Sequence, residues 1–296
     1  MQAVRQGDTW LEVALNGPWT RKYQPRIPIT VAEIIEEGIA CAQAGAAIVH
    51  AHAYDEASGQ QTQSPDVYAR IIDGIRNRID AIVYPTIPAA GLGSRDQQTA
   101  GQRFAHVEEL ARRGLIEWAA VDPGSANFAL YDDLREDKTG FVYLNPEEDI
   151  RHGLKLAMHF GLHPSYAIYE PGFMRLGATL HWRASCPAPI YRLMFSSGYT
   201  FGFPPEDYAL TAYLKLLDQV APGAKWMLAG LHVDISAMIP RAIAEGGHVR
   251  VGLEDAPWGS DKSNLQWVED AARRIENSGG TLATAQDIRA ALSPEE

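Results

Sequence analysis

Two histidines close an apolar run near the start of the chain, and their spacing suits metal binding. His50 and His52 follow Ala47, Ile48 and Val49, and a short run of small and β-branched residues predicts a buried β-strand. Positions i and i+2 of a strand face the same side, so both imidazoles could bind one divalent cation. The alternative is a pair of core histidines satisfied by hydrogen bonds within the protein.

A second strand-like run, residues 247–255, ends in the acidic residues Glu254 and Asp255. Two histidines and a carboxylate are typical ligands of a catalytic zinc site, because they leave one position open for water or substrate. The sequence therefore predicts a metal site formed by His50, His52 and a carboxylate from this segment. The competing interpretation is that Glu254 and Asp255 cap a following helix.

Arg250 lies four positions before Glu254, so the two side chains share one face of this strand. A buried guanidinium requires a carboxylate partner or a bound anion, which makes a functional role plausible for Arg250. An ion pair with Glu12 is the structural alternative, and both roles are compatible. His248 falls on the same face and is predicted to be a packed core histidine.

The elements that would position these residues alternate between short apolar runs and capped amphipathic segments. Thr30 with Glu33 forms a capping box, and Ser64 with Pro65 is a typical helix start. Eight such units predict a single (β/α)8 TIM barrel domain over residues 1–296, whose active site lies at the carboxyl ends of the strands. The predicted strands are 11–16, 47–52, 81–86, 116–121, 166–170, 190–196, 225–230 and 248–254. The predicted helices begin at 30, 64, 97 and 145–147, and then cover 172–182, 206–220, 235–245, 264–277 and 284–292.

Other polar residues at predicted strand ends are candidates for binding substrate oxygens. Ser125 lies in a segment rich in backbone and hydroxyl donors, Asn16 follows the first strand, and Thr86 ends the third. For Ser125 and Asn16 the alternative is a tight turn that serves only geometry. Residues 129–145 are predicted to be a polar insertion in a βα loop, where active sites or subunit contacts are built.

Composition excludes several classes of function. The 296 residues carry a formal net charge of −11, which argues against nucleic-acid binding and against an anionic membrane surface. No strand is followed by a dinucleotide or phosphate-loop glycine pattern. Cys41 and Cys186 are too few for a disulfide framework. The first residues contain no apolar signal segment, and no run approaches the about 20 apolar residues of a spanning helix, so we expect a cytoplasmic protein.

Several of these motifs together resemble the β-keto acid cleavage enzyme family over nearly the whole chain. They are residues 15–17, residues 44–46 leading to His50 and His52, residues 124–128, Trp226, and the long run 246–255. The resemblance implies a zinc-dependent (β/α)8 barrel, usually a homotetramer, that uses a β-keto acid and acetyl-CoA as small-molecule partners. It implies His50, His52 and Glu254 as zinc ligands, and Arg250 and Asp255 as the catalytic pair.

The same resemblance implies a reaction sequence. Zinc bound by the keto and carboxylate oxygens acidifies the carbon between them, and Asp255 with Arg250 removes the proton. The carbanion attacks the acetyl-CoA thioester, and the released CoA thiolate attacks the original keto carbon. Retro-Claisen cleavage then gives acetoacetate and a new acyl-CoA.

The chain departs from the common family pattern at positions expected to face the variable end of the substrate. Pro18 and Trp19 follow Asn-Gly, Tyr54 replaces a basic residue, residues 86–88 replace a Thr/Ser-Gly-Gly run, and the often acidic fifth strand contains Tyr169. Trp19, Tyr54 and Tyr169 as substrate-binding residues predict a bulkier, less cationic acyl group than an amino-hexanoate.

Two rival functions remain at this stage. A metal-dependent hydrolase of the amidohydrolase type also uses a His-x-His pair, but on the first strand and with histidines on the fifth and sixth, and residues 166–170 and 190–196 contain none. A barrel that retains the metal without turnover is the other rival. Retention of Arg250 and Asp255 argues against it.

Overall fold

Residues 8–88 and 98–293 are described by a computed structural model of the chain. Eight parallel strands form a ring in the order β3-β2-β1-β10-β9-β8-β7-β4, with β3 and β4 lying side by side. This is the predicted (β/α)8 barrel, nearly closed. Its strands are β1 (Leu11–Ala14), β2 (Ile48–Ala51), β3 (Ile82–Pro85), β4 (Trp118–Ala120), β7 (His163–Ile168), β8 (Ile190–Phe195), β9 (Trp226–Gly230) and β10 (His248–Val251).

Amphipathic helices surround the ring and bury their apolar faces against it. In the first helix, Ile34 and Ile39 are buried while the capping box of Thr30 and Glu33 satisfies the free amides of its first turn. The helices are α1 (Val31–Gln43), α2 (Pro65–Arg76), α3 (Ala100–Arg112), α4 (Tyr131–Arg135), α5 (Glu147–Phe160), α6 (Pro171–Ala184), α7 (Asp207–Val220), α8 (Ile239–Ala244), α9 (Asn264–Asn277) and α10 (Ala285–Leu292). The predicted start of α3 at residue 97 lies outside the described residues.

Two elements differ from the sequence-based prediction. Strand β7 begins at His163, three residues before the predicted start at 166 and with Pro164 inside it. The helix predicted over 235–245 is a 3-10 turn, Ser236–Met238, followed by α8. Pro240 lies in the first turn of α8, where a missing amide hydrogen leaves no bond unmade.

The predicted polar insertion 129–145 is part of a small hairpin above the barrel. Strand β5 (Ala126–Phe128) pairs antiparallel with β6 (Phe141–Tyr143), and the short helix α4 lies between them. Phe128 of β5 and Tyr143 of β6 are both buried. The insertion therefore adds buried aromatic side chains to one side of the barrel mouth.

Within the two described ranges, no helix has the length and apolar character needed to cross a membrane. Cys41 and Cys186 are both buried and unpaired.

Candidate active site

A cavity of about 630 Å³ opens at the carboxyl ends of the barrel strands. Its two sides come from different parts of the ring. The metal-side wall is formed by the loop after β1, the end of β2 and the segment after β10. The tail-side wall is formed by β4, β7, β8 and the hairpin β5–β6. Residues lining the metal-side wall include Trp19, His50, His52, Gln61 and Glu254, and those lining the tail-side wall include Asp122, Phe128, Tyr143, Tyr169 and Arg192.

The three predicted metal ligands meet at the metal-side wall. His50 Nε2 lies 3.5 Å from Glu254 Oε2, and His52 Nε2 lies 3.5 Å from Glu254 Oε1. One potential ligand atom from each residue lies within 4.8 Å of the others, and all three side chains are largely buried. Strand β2 and the segment after β10 flank β1 in the barrel, which brings residues 200 positions apart in sequence into one cluster.

Polar neighbours orient the histidines. His52 Nδ1 lies 2.7 Å from the side-chain oxygen of Gln61. Because that oxygen can only accept, Nδ1 carries the proton and Nε2 keeps its lone pair for the cluster. The backbone of His52 is held by Asn16, whose Oδ1 accepts from the His52 amide while Nδ2 donates to the carbonyls of His52 and Pro28.

The loop after β1 packs directly on Glu254. Gly17 has φ +63, and a Cβ built there would lie 2.6 Å from Glu254 Cγ, so both the turn and the close approach require glycine. Trp19 Nε1 donates to the Glu254 carbonyl at 2.7 Å. The Tyr54 hydroxyl lies 2.6 Å from the Gly17 carbonyl and 2.9 Å from that of Trp19, which ties the loop to the segment after β2.

Arg250 lies beneath the cluster among three carboxylates. It donates from Nε and Nη2 to the two oxygens of Asp255 at 2.8 and 3.0 Å, and from Nη1 to Glu12 at 2.9 Å. Its Nη2 is also 3.1 Å from Glu254. The expected ion pair with Glu12 and the expected pairing with Asp255 are therefore both present, and the two roles coexist. Three carboxylates around one guanidinium leave two uncompensated negative charges in a buried site.

These contacts shift the acidities of the site. Burial lowers the pKa of His50 well below its usual value, so the ring is neutral and able to bind a metal. Burial would raise the pKa of Glu254, but the charge of Arg250 holds it well below its usual value. Burial raises the pKa of Asp255 to about 6 although Arg250 opposes the shift.

The tail-side wall carries a second charged pair. Arg192, on β8, places Nη2 3.5 Å from Asp122 Oδ1 and 3.3 Å from the Ser165 carbonyl, which accepts a hydrogen bond. Asp122 follows β4 and also accepts from the Tyr143 hydroxyl and the Ala167 amide. Aromatic rings cover the rest of this wall: Phe128, Phe141, Tyr143, Tyr169 and Tyr199.

The predicted substrate-binding residues divide into two groups. Trp19, Thr86 and Tyr169 line the cavity. Asn16, Tyr54 and Ser125 lie outside the lining formed by the described residues, and their polar atoms bond other parts of the protein. Asn16 and Tyr54 hold the loops of the metal-side wall, and Ser125 is exposed, with its hydroxyl accepting from the Asn145 amide at 2.8 Å.

The predicted catalytic pair, Arg250 and Asp255, is also buried beneath the wall rather than lining the cavity as the described residues form it. His248 is the packed core histidine expected from the sequence, stacked on Trp10 with ring centroids 4.1 Å apart.

Sequence reasoning did not single out Gln61, Asp122 or Arg192. Arg192 interrupts an otherwise apolar strand, and the face argument applied to Arg250 would have identified it. Asp122 lies within the donor-rich segment that pointed to Ser125. Gln61 gave no signal, because it follows β2 by ten residues in a loop.

The fold and this site define a class: (β/α)8 barrel proteins with a His-His-carboxylate cluster at the carboxyl ends of the strands. Residues 8–293 match the family model described as beta-keto acid cleavage enzyme, and the chain belongs to that family.

Curated relatives cover most of this chain. It is 27% identical over 289 residues to 3-dehydrocarnitine:acetyl-CoA trimethylamine transferase of Rhizobium meliloti, covering 90% of this chain and 89% of the relative. It is 26% identical to 3-keto-5-aminohexanoate cleavage enzyme of Fusobacterium nucleatum, covering 93% of both chains. It is also 26% identical to 3-oxoadipate:acetyl-CoA acetyltransferase of Cupriavidus necator, covering 95% and 93%.

Among solved structures, the apo structure of ObcA superposes with a TM-score of 0.72 at 17% identity, covering 90% of this chain and 65% of that one. A type I 3-dehydroquinate dehydratase superposes with a TM-score of 0.56 at 10% identity, covering 93% of this chain and 95% of that one. At these identities the likeness shows the barrel fold alone.

Proposed function

We propose that this protein is a zinc-dependent β-keto acid cleavage enzyme, which converts a β-keto acid and acetyl-CoA into acetoacetate and a new acyl-CoA. The observation that carries the proposal is the cluster of His50, His52 and Glu254 at one wall of the cavity, with the Arg250–Asp255 pair directly beneath it. Family membership and the acetyl-CoA named for two of the relatives support the same chemistry.

The residues fit a divalent cation. Among the described residues, His52 Nε2 and Glu254 Oε2 are buried without a hydrogen-bond partner, and such atoms are costly unless something binds them. Two imidazoles and a carboxylate are ligands that zinc accepts, and they leave a position for substrate. A dication would also balance the two excess negative charges around Arg250. Bound there, zinc would polarise the oxygens of a β-keto acid and so acidify the carbon between them.

The protein's own residues supply the proton transfer. Asp255 is the proposed base, and its pKa of about 6 leaves it ionised at neutral pH yet basic enough to take a proton. Arg250 holds both Asp255 oxygens, which fixes the carboxylate and stabilises its charge. Asp255 lies below the cavity lining, so we place the acidic carbon of the substrate at the floor of the cavity, against the metal-side wall.

The remaining bond changes follow from that carbanion. It forms a bond to the acetyl carbonyl carbon of acetyl-CoA, and the CoA thiolate leaves. The thiolate then adds to the original keto carbon, and the bond between that carbon and the former acidic carbon breaks. The carbon released in this cleavage takes back the proton held by Asp255, so the products are acetoacetate and the acyl-CoA, with no net oxidation or reduction.

For binding, we assign Trp19, Thr86 and Tyr169 to substrate contact because they line the cavity. Asn16, Tyr54 and Ser125 are assigned to positioning. The sequence resemblance also supports a homotetramer, which light scattering on the purified protein would test.

The deciding experiment supplies the zinc-loaded protein with a panel of β-keto acids and measures acetoacetate and acyl-CoA with and without acetyl-CoA. We expect acetoacetate only when acetyl-CoA is present. Metal bound at about one equivalent with no product from any keto acid would instead support the barrel without turnover.

Hydrolysis of other substrates without acetyl-CoA would support the amidohydrolase alternative. That alternative requires metal-binding histidines on the fifth and sixth barrel strands, which are β7 and β8. The histidine on β7, His163, lies at the amino end of its strand and bonds the Ala188 carbonyl, so the structure gives the alternative little support.

A further inference from the structure

Arg192 is a buried guanidinium whose hydrogen-bonding capacity is mostly unused. Its side chain is 5% exposed, yet Nε has no hydrogen-bond partner. Within residues 8–88 and 98–293, Nη1 makes no hydrogen bond either, and only Nη2 donates, to the Ser165 carbonyl. A guanidinium presents five N–H donors in a fixed fork, and leaving them unpaired in a buried site is unfavourable.

Asp122 does not account for this arginine. The closest approach of the two groups is 3.5 Å, which is an ion pair without a short hydrogen bond. Both Asp122 oxygens accept from other donors, the Tyr143 hydroxyl and the Ala167 amide. Asp122 therefore balances the charge of Arg192 while the donors of Arg192 remain available to a ligand in the cavity that both residues line.

The position of Arg192 identifies which part of a substrate it would meet. Around the ring, β8 is separated from β2 by three strands in either direction, β1, β10 and β9 one way and β3, β4 and β7 the other. Arg192 thus faces His50 and His52 across the barrel. For a keto acid that reacts at the metal-side wall, the space left for the acyl chain is the cavity between that wall and Arg192, and Tyr169 lines the same cavity.

We propose that Arg192 binds a carboxylate at the far end of the acyl chain, so that the preferred substrate is a 3-oxo dicarboxylic acid. This inference rests on the function proposed above and names its substrate class. A planar guanidinium fits a carboxylate with two parallel hydrogen bonds. The aromatic rings of the same wall contact the carbon chain, which refines the expectation of an apolar tail drawn from Trp19 and Tyr169.

The test compares two keto acids of equal chain length that differ only at the far end, 3-oxohexanedioic acid and 3-oxohexanoic acid. The measured quantity is the ratio of their kcat/KM values with acetyl-CoA. For the unmodified protein we expect a ratio of about 10 or more in favour of the diacid, as for a charge-assisted hydrogen-bond pair. A ratio of one or below overturns the proposal.

The matched variants are Asp122→Asn and the double variant Arg192→Met with Asp122→Asn. They differ only at Arg192, and neither leaves an unpaired Asp122 charge that could unfold the wall. We expect Asp122→Asn to keep the diacid preference, and the double variant to lower the ratio by about 10- to 100-fold. An equal ratio in both variants overturns the proposal, and the exposed Arg151→Met is the control.

Binding separates this proposal from the proposed function. Calorimetric titration of 3-oxohexanedioic acid without acetyl-CoA requires no turnover. If no keto acid is converted, the proposed function fails, while tighter diacid binding to Asp122→Asn than to the double variant still supports the Arg192 site. Equal binding to both overturns it.

Discussion

The two walls of the cavity are built on opposite principles. On the metal-side wall, hydrogen bonds support the residues of the cluster, from Gln61 through His52 to Asn16, and from Asp255 through Arg250 to Glu12, and leave His52 Nε2 and Glu254 Oε2 unpaired among the described residues. On the tail-side wall, aromatic rings surround one charged pair, Asp122 and Arg192. A wall held by many hydrogen bonds keeps its residues in one geometry. A wall of aromatic rings around one arginine with unpaired donors can distinguish substrates by shape and charge. Under the proposed function, this difference would give the reaction to the first wall and the choice of substrate to the second.

The largest expected effect is on the metal-side cluster. His50→Ala removes one of three ligands, so metal analysis of the purified protein should fall from about one zinc per chain to well below it, with loss of turnover. His159→Ala, an exposed histidine on α5, is the control and should keep its metal. A His50→Ala protein that retained a full equivalent would place the metal elsewhere.

Asp255→Asn tests whether the base lies beneath the same wall. The amide keeps the shape of the side chain but cannot take a proton, so kcat should fall by about 10²–10⁴-fold while the zinc content stays constant. Asp73→Asn on the surface of α2 should have no effect. Activity within tenfold of the unmodified protein would move the base to another residue.

Gln61→Ala tests how strongly the wall depends on its supporting bonds. Loss of the acceptor for His52 Nδ1 should weaken zinc affinity by about 10- to 100-fold, measured by competition with a chelator. The exposed neighbour Gln60→Ala is the control. Equal zinc affinities in Gln61→Ala and Gln60→Ala would show that zinc binding does not depend on the hydrogen bond between His52 Nδ1 and Gln61.

Gly17→Ala tests the same dependence of the metal-side wall on its supporting contacts, with Gly59→Ala as the control for backbone strain. Both Gly17 and Gly59 have positive φ, +63 and +66, but only the Cβ at Gly17 would meet Glu254, while that at Gly59 meets nothing within 4 Å. Both substitutions carry similar backbone strain. Zinc affinity should therefore fall in Gly17→Ala and remain in Gly59→Ala; a similar fall in both would make strain, rather than contact with Glu254, the cause.

The smallest expected effect concerns Trp19, which donates to the Glu254 carbonyl and also lines the cavity that would hold the acyl chain. Trp19→Ala should lower kcat/KM for long-chain keto acids by about tenfold more than for short ones, because only a long acyl chain would lose its contact with the removed ring. Trp19→Phe, which keeps a ring but loses the hydrogen bond to the Glu254 carbonyl, separates packing from positioning. A panel in which ammonium-bearing keto acids outrank apolar ones of equal length would contradict the tail-pocket argument.

Strand order and the candidate metal cluster could be predicted from the sequence because they depend on short-range patterns. Apolar runs and helix caps indicated the barrel, and a His-x-His pair at one strand end with Glu254 at another indicated the cluster. The helix at 235–245 was only partly predicted, since the 3-10 turn before Pro240 depends on how the chain leaves β9.

Only the tertiary structure decided which polar residues face the cavity. Asn16, Tyr54 and Ser125 looked like substrate contacts in sequence, yet each bonds the backbone of another segment. Arg192 lies on β8 and Asp122 lies 70 positions earlier, just after β4; β7 separates the two strands, and no local pattern connects the two residues. A residue's spacing along the chain determines the face of its own strand, whereas its available hydrogen bonds depend on distant segments that the closed barrel brings against it.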